Sequence, residues 1–411
     1  MHTNKSAGFL SVAVLAAGLL VGASASAATL VINSNASDPN VKAAWDTVID
    51  GFKAEHPDIE VQYSIYDHEA YKTAIRTWLP AAPPDVVFWF AGNRMATFVE
   101  RGLFEDVSDV WRDNGLDEAM ASTRPSLTID GKRWGVPYAY YNWGVYYRKD
   151  IFDQYGLSAP TSWDELLAVG KTLKDNGITP VTIGTKYLWT SAGWFDYLNM
   201  RTNGLDFHID LMLGRVAYTD ARVRKTFENW RELVDAGFFL ENHTSYSWQE
   251  AQAPMINGEA AMYLIGNFLV GELSDDVAAN IDFFQFPAID PSLDLGEDAP
   301  TETLHIPAKA KNKEDAKRFL AYVARPDVQS ALNMALKNLP PHKDAEVSDN
   351  RFVQKGAEML ARSKTAQFYD RDTTPEMAQE GMKGFVQFMD NPDDLDEILA
   401  TLERARQRIF K

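Results

Sequence analysis

Between Thr29 and Arg94 the chain switches repeatedly between two periodicities, and that alternation restricts the folds open to it more than any other feature. Thr29 to Asn33 is a short apolar run ending in the polar pair Ser34-Asn35, after which Asp38-Pro39 supplies an N-cap with proline at the first helical position. Val41, Ala44, Trp45, Val48, Ile49 and Phe52 follow at helical spacing. Ile59, Val61, Tyr63 and Ile65 alternate as a second strand, Tyr71, Ala74, Ile75 and Trp78 mark a second helix, and Asp85 to Phe90 is a β-prone apolar run. Such an order predicts an α/β lobe with a parallel sheet. The third run continues to Ala-Gly-Asn-Arg94, so polar groups arrive at the carboxyl end of a strand, where open α/β sheets hold ligands. Trp89 is either core, as burial habits favour, or a flat face beside Asn93 and Arg94 for a polyhydroxylated ring. Asn35, at the polar end of the first strand, is a candidate of the same kind.

The remaining chain predicts a second α/β lobe. Gly131 to Asp150 holds an aromatic, strand-like run after Pro137 without strict alternation, suited to carrying the chain from one sheet to another. Ser162-Trp-Asp-Glu165 is a capping-box pattern opening a helix through Lys174, which Gly177 ends. Val181 to Gly184 reads as a strand, Trp189 and Trp194 frame a glycine-containing loop, and Asp220 caps a helix that buries Val223, Phe227, Trp230 and Val234. Ala260 to Ile265 and Ile281 to Phe286 read as strands, Asp290 to Pro300 as a surface loop. Asn312 starts a helix with Pro326 shortly past its end, Leu339-Pro340-Pro341 breaks the chain, and a helix through Leu395 and Leu402 closes it.

The first residues read as a targeting segment. Lys5 is the one charge before an apolar run from Phe9 to Val21, and Ala25-Ser26-Ala27 has the small residues of a secretory cleavage site, so 1–27 is expected to be a signal peptide. No later apolar stretch is long enough to span a bilayer. There is no cysteine, which excludes disulfides, thiolate metal sites and a lipid-bearing cysteine; a soluble periplasmic protein, not a lipoprotein, is expected. The formal charge of −18 argues against nucleic acid or an anionic membrane as partner.

Catalytic signatures are missing. Gly170-Lys171-Thr172 resembles the end of a phosphate loop, but the upstream glycine position holds Glu165. His68-Glu69 lacks the second histidine of a zinc helix, and neither a Gly-x-Ser-x-Gly elbow nor a dinucleotide glycine cluster occurs. The acidic run Asp290 to Asp298 has its glycine out of calcium-loop register. No cofactor and no metal are expected, although two carboxylates joined by the fold would suffice for a glycosidase. What remains is a surplus of aromatics, with 11 Trp, beside amides at loops and hinges. Sugar C–H faces pack on such rings, and sugar hydroxyls want planar donors and acceptors.

With those residues assembled, the chain resembles the carbohydrate-binding proteins of bacterial ABC importers, family 1 extracellular solute-binding proteins, which include maltose-binding protein. Four stretches in order carry the resemblance: Pro84 to Arg94; Val136-Pro137 with Tyr146-Tyr-Arg-Lys-Asp150; Ala260-Ala-Met-Tyr-Leu-Ile-Gly-Asn-Phe268; and His305-Ile-Pro-Ala-Lys-Ala-Lys-Asn312 leading into Glu314 to Leu320. The resemblance implies a two-lobe periplasmic binding protein fold of the α/β class, with three hinge crossings at 140–143, 301–303 and 339–342 and a ligand cleft between lobes. One lobe would comprise 28–139 with 304–338, the other 144–300 with 343–411. It implies a receptor that captures a mono- or oligosaccharide, or a glycoside, and delivers it to inner-membrane ABC permease subunits as a monomer, making and breaking no bond.

Carried over by position, Trp89, Asn93 and Arg94 match the stacking aromatic and polar grip after the third strand. Asn93 stands where maltose-binding protein has an acid, Tyr141 where it has a hinge carboxylate, Trp194 where it has a stacking tyrosine and Phe268 where it has a stacking tryptophan. Arg371 and Asp372, in Phe368-Tyr-Asp-Arg-Asp372, fall near another aromatic and an arginine of that cleft. Asn142, Trp143, Trp189 and Asn267 join them as candidates on their loop and hinge positions. Trp248 does too, although it also fits the opening of a helix after Ser247; Trp45 and Trp230 lie on apolar helix faces and are core. The alternatives are a secreted carbohydrate-active enzyme and a receptor of the same fold for a non-sugar solute such as a polyamine or oligopeptide.

Overall fold

The computed structural model describes residues 1–2 and 29–411; the expected signal peptide lies almost wholly outside them. Two sheets organise the chain. In the first, Thr29–Ser34 lies parallel to both Glu60–Ile65 and Val86–Phe90. Thr301–His305 then runs antiparallel between Val86–Phe90 and Val136–Tyr140. Every residue of Val86–Phe90 is buried, as expected of a central strand covered on both faces. Asp85, just ahead of it, fixes two returning segments: one carboxylate oxygen accepts from the Val31 N–H at 3.0 Å, the other from the Lys311 and Asn312 N–H groups at 2.9 and 2.8 Å. In the second sheet Trp143–Arg148 lies antiparallel between Ile281–Phe284 and Ala260–Gly266, with Thr179–Val181 parallel at the edge.

Each sheet has its own hydrophobic core. One is drawn from Leu30 to Ala139 together with Leu304 to Leu336, the other from Tyr141 to Phe286 together with Phe352 to Ala405. The chain passes from one to the other between Ala139 and Tyr141, between Phe286 and Leu304, and between Leu336 and Phe352. Tyr140 and Leu339 exchange both backbone hydrogen bonds, at 3.0 and 2.9 Å, which ties the first crossing to the third.

Several local expectations need correction. Trp189 and Trp194 do not frame a loop, because both lie in the helix Trp189–Asn203. Within Asp290 to Pro300, Gly296–Asp298 is a buried strand paired in parallel with Lys364–Ala366; Arg201, donating to the Gly296 carbonyl and, at 2.5 Å, to Glu297, makes that acidic run tolerable inside. Pro326 stands shortly past the end of the helix Lys313–Val323, as expected, and in addition occupies the first turn of a further helix, Pro326–Leu336, the place where proline costs no hydrogen bond. Trp248 opens no helix; the next one begins at Gln252. Elsewhere the local signals act as read: Ser162 and Glu165 form the reciprocal capping box. No described helix is long and apolar enough to cross a membrane.

Candidate functional site

A cavity of about 140 Å³ lies between the two sheets, lined by residues of both cores and of all three crossings. Its polar end is built around Phe90, whose ring carries the Arg371 guanidinium 4.2 Å from its centre. Arg371 donates to Glu302 at 2.9 Å, and the Tyr141 hydroxyl donates to the same carboxylate oxygen at 3.0 Å. Asp370 is clamped from behind: the Arg94 Nη2 donates to its carboxylate at 2.5 Å and the Arg94 Nε to its carbonyl at 2.8 Å. Burial pushes the Asp370 carboxyl up, but the charges of Arg94, Lys72 and Arg371 outweigh it and hold the group below its usual range. Lys72 pairs with Glu69 at 3.0 Å, and His68, kept neutral chiefly by burial, shares a 3.2 Å hydrogen bond with Asn35.

The other end is aromatic. Trp143 stacks on Phe368 with ring centres 4.8 Å apart, Trp189 stands edge-on to Trp143, and Phe268 meets Trp248 at 4.9 Å and Tyr141 at 5.4 Å, both edge-to-face. Gly193 admits the Trp143 ring, since a Cβ there would lie 2.6 Å from it. Flat apolar faces therefore meet charge-compensated donors and acceptors across one small space.

Of the expected site residues, Asn35, Tyr141, Trp143, Trp189, Trp248, Phe268 and Arg371 line the cavity. Seven do not. Side chains alternate along a strand, so with Phe90 facing the cavity Trp89 faces the core, where it is 2 % exposed, packs on Phe98 and donates to the Arg94 carbonyl at 3.1 Å. Trp194 lies five residues beyond Trp189 on one helix, roughly 140° round its axis, and packs edge-on against Phe239 and Phe286. Arg94 and Asn93 act behind the wall, Arg94 on Asp370 and Asn93 on the Asp372 carbonyl. Asn142 and Asn267 join at the crossings: the Asn267 N–H donates to the Asn142 carbonyl at 2.9 Å, and the Asn267 side chain accepts from Tyr146 and donates to the Lys337 carbonyl.

Asp372 turns to the far side of the same wall. There a second hollow opens, lined by Ser126, Tyr140, Thr301, Gln367 and Asp372 among others. Burial raises the Asp372 carboxyl to about 6, although the Gln367 and Phe368 backbone N–H groups pull it down.

Sequence reasoning missed Phe90, His68, Lys72, Glu302, Asp370, Phe368, Asp38 and Glu272. Alternation from Trp89 was the available signal for Phe90, and Phe368 and Asp370 stood inside a stretch already singled out. Among the described residues, no group of three or more His, Asp or Glu side chains is placed to hold a metal ion.

The sequence profile of a family described as bacterial extracellular solute-binding protein matches residues 35–330. An uncharacterized ABC transporter extracellular-binding protein of Pyrococcus horikoshii is 25 % identical over 329 residues, covering 76 % of this chain and 72 % of that one. The osmoprotective compounds-binding protein GgtB of Synechocystis sp. is 24 % identical over 86 % of this chain and 87 % of its own. Among solved structures, the bacterial solute receptor AcbH superposes with a TM-score of 0.87 at 29 % identity, over 93 % of this chain and 99 % of that one; its description reports an exclusive preference for β-D-galactopyranose. The raffinose complex of RafE superposes at 0.78 with 18 % identity, over 92 % and 98 %, a likeness of fold.

Proposed function

Because the chain belongs to the bacterial extracellular solute-binding protein family, we propose that its interlobe cavity captures a carbohydrate, one sugar ring at a time, by closing both lobes around it. The observation that carries this reading is the pairing of stacked rings at one end with internally neutralised polar groups at the other. Arg371 with Glu302, Arg94 with Asp370 and Lys72 with Glu69 each cancel their own charge, so at that end hydroxyls meet strong donors and acceptors without a net charge there having to be matched. Size supports a single ring: about 140 Å³ is close to the roughly 150 Å³ of an engineered protein cavity that holds benzene. Tyr141, Trp143, Trp189, Trp248, Phe268, Asn35 and Arg371 are the contacts we assign from the sequence-based candidates, joined by Phe90, His68, Glu302, Asp370 and Phe368.

Contacts to both lobes exist together only when the lobes are closed, so the ligand draws the population toward the closed form. That form is what an ABC import permease would recognise. In this reading the receptor is exported and acts as a monomer without bond-making or bond-breaking.

The test uses the purified mature chain, stripped of carried-over ligand by unfolding and refolding, against a library of mono- and oligosaccharides. A saturable change in Trp emission and a raised melting temperature with the sugar recovered intact support the reading. Ligand at a hundred times its Kd adds about 2.7 kcal/mol of stability. Turnover of the sugar, or silence across the whole library, refutes it.

A further inference from the structure

The acidic groups of the cavity are not all neutralised. Glu302 and Asp370 each have a guanidinium partner, whereas Asp38 and Glu272, which line the same cavity, have hydrogen-bonding or longer-range neighbours only. Asp38 occupies the N-cap position of the helix Pro39–Glu55 but makes no side-chain cap bond. Its carboxylate instead accepts from Gln249 of the other lobe at 3.2 Å. Glu272 ends the short helix Leu269–Glu272, which packs closely on Pro39–Glu55: a Cβ on Gly271 would lie 2.8 Å from the Asn40 side-chain nitrogen. One carboxylate from each lobe therefore borders the seam that closes over the ligand.

The surrounding charges do not cancel them. Asp67 adds a further negative charge near Asp38, and Lys337, whose charge acts on Glu272 without pairing with it, donates its ammonium to the Val270 carbonyl at 3.2 Å. Burial first, then Asp67, raises the Asp38 carboxyl against the pull of Gln249; burial first, then Asp38, raises that of Glu272 against the pull of Lys337. Lys72 is held by Glu69, and His68 is neutral. Independently of these acids, the walls beside them are aromatic. Trp248, next to Gln249, and Phe268, next to Leu269, meet edge-to-face, and ring faces attract a desolvated cation. The cavity is thus divided into a charge-compensated end at Phe90 and an acid-bearing, ring-lined end where, among the described residues, no cation pairs directly with Asp38 or Glu272.

Resting on the carbohydrate reading above, we infer that the ligand is an amino sugar or aminocyclitol, whose ammonium lodges between Asp38 and Glu272 against Trp248 and Phe268 while its hydroxyls face Arg371, Glu302 and Asp370. Calorimetric titration of the refolded chain tests it with a panel of neutral hexoses, their monoamino-deoxy counterparts at each ring position, and the N-acetylated forms. An amine should bind about tenfold or more tighter than its neutral parent, the worth of one charge-assisted contact, and N-acetylation should remove that advantage. Asp38→Asn and Glu272→Gln, each checked for cooperative unfolding, should each shrink the amine-to-parent ratio. Neutral parents that bind as tightly as, or tighter than, every amine overturn the inference and leave the sugar receptor standing. If no member of the panel binds, the inference falls, and the mono- and oligosaccharide library decides the sugar-receptor reading separately.

Discussion

Arg371→Met isolates the ion pair at the polar end of the cavity. The substitution keeps an unbranched apolar stem over Phe90 but removes the donor to Glu302 at 2.9 Å and the cation over the ring. Removing one partner of a buried pair typically costs about 3–5 kcal/mol. Glu302 retains the Tyr141 hydroxyl at 3.0 Å, and its side chain and that of Arg371 keep 15 % and 10 % exposure toward the cavity, so about 2–3 kcal/mol is expected here. Urea unfolding of wild type, Arg371→Met, Glu302→Gln and the double variant at pH 7.5 reads the cost. The double variant should be more stable than Arg371→Met alone, because it removes the uncompensated carboxylate together with its cation. A double variant no better than the single would refute the claim that Arg371 serves to neutralise Glu302.

Trp189→Ala should weaken ligand binding about tenfold or more by removing a cavity wall, whereas Trp194→Ala should cost about 3–5 kcal/mol of stability and leave Kd nearly unchanged; calorimetry and melting curves on both variants separate the roles, and a collapsed Kd with an intact fold for Trp194→Ala would reverse the assignment. Gly92→Ala should destabilise by about 1–3 kcal/mol, because Gly92 has φ +71° and a Cβ there would lie 2.7 Å from the Arg371 carbonyl, pressing on the contact between the lobes; denaturation and affinity measured together check it. Asp298 is fully buried, both its carboxylate oxygens lack hydrogen-bond partners among the described residues, and burial with the nearby Asp372 and Glu297 charges raises its pKa well above the usual range. A raised folded pKa means stability that is present at low pH and lost as pH rises through it, so Asp298→Asn should stabilise the protein increasingly toward alkaline pH, as melting temperatures from pH 5 to pH 9 would show. His208, lowered to about 3 by burial, should instead cost stability as pH falls below about 6.5, where the unfolded imidazole takes up a proton; His208→Gln should flatten that part of the same profile.

The first lobe was legible because its signals are local: strand-ending polar pairs, helix caps and the buried run before Arg94 all sit within a few residues of what they determine. The site was legible only in part. Trp143, Trp189, Trp248 and Phe268 were found from residue type, yet type does not say which way a ring points, and Trp89 and Trp194 point into cores. Phase along an element decides that, and one residue's shift in a strand is enough to exchange Trp89 for Phe90. Glu302, Asp370 and His68 were not singled out as site residues for a different reason. Each draws its role from a partner far away in sequence, and a lone acid or histidine reads as surface until the fold brings an arginine or an asparagine to it. The buried strand Gly296–Asp298 likewise looks like a loop until Arg201 is placed beside it.

Along the crossings, neighbouring residues look into opposite hollows: Tyr141, Glu302, Phe368 and Arg371 into the ligand cavity, and Tyr140, Thr301, Gln367 and Asp372 away from it. Recognition and articulation are thus written on the two sides of one ribbon. A lineage of such receptors can exchange what it captures by editing one side, while the other keeps the gait of the closing motion, so new specificities can arise without the transport machinery having to learn a new partner.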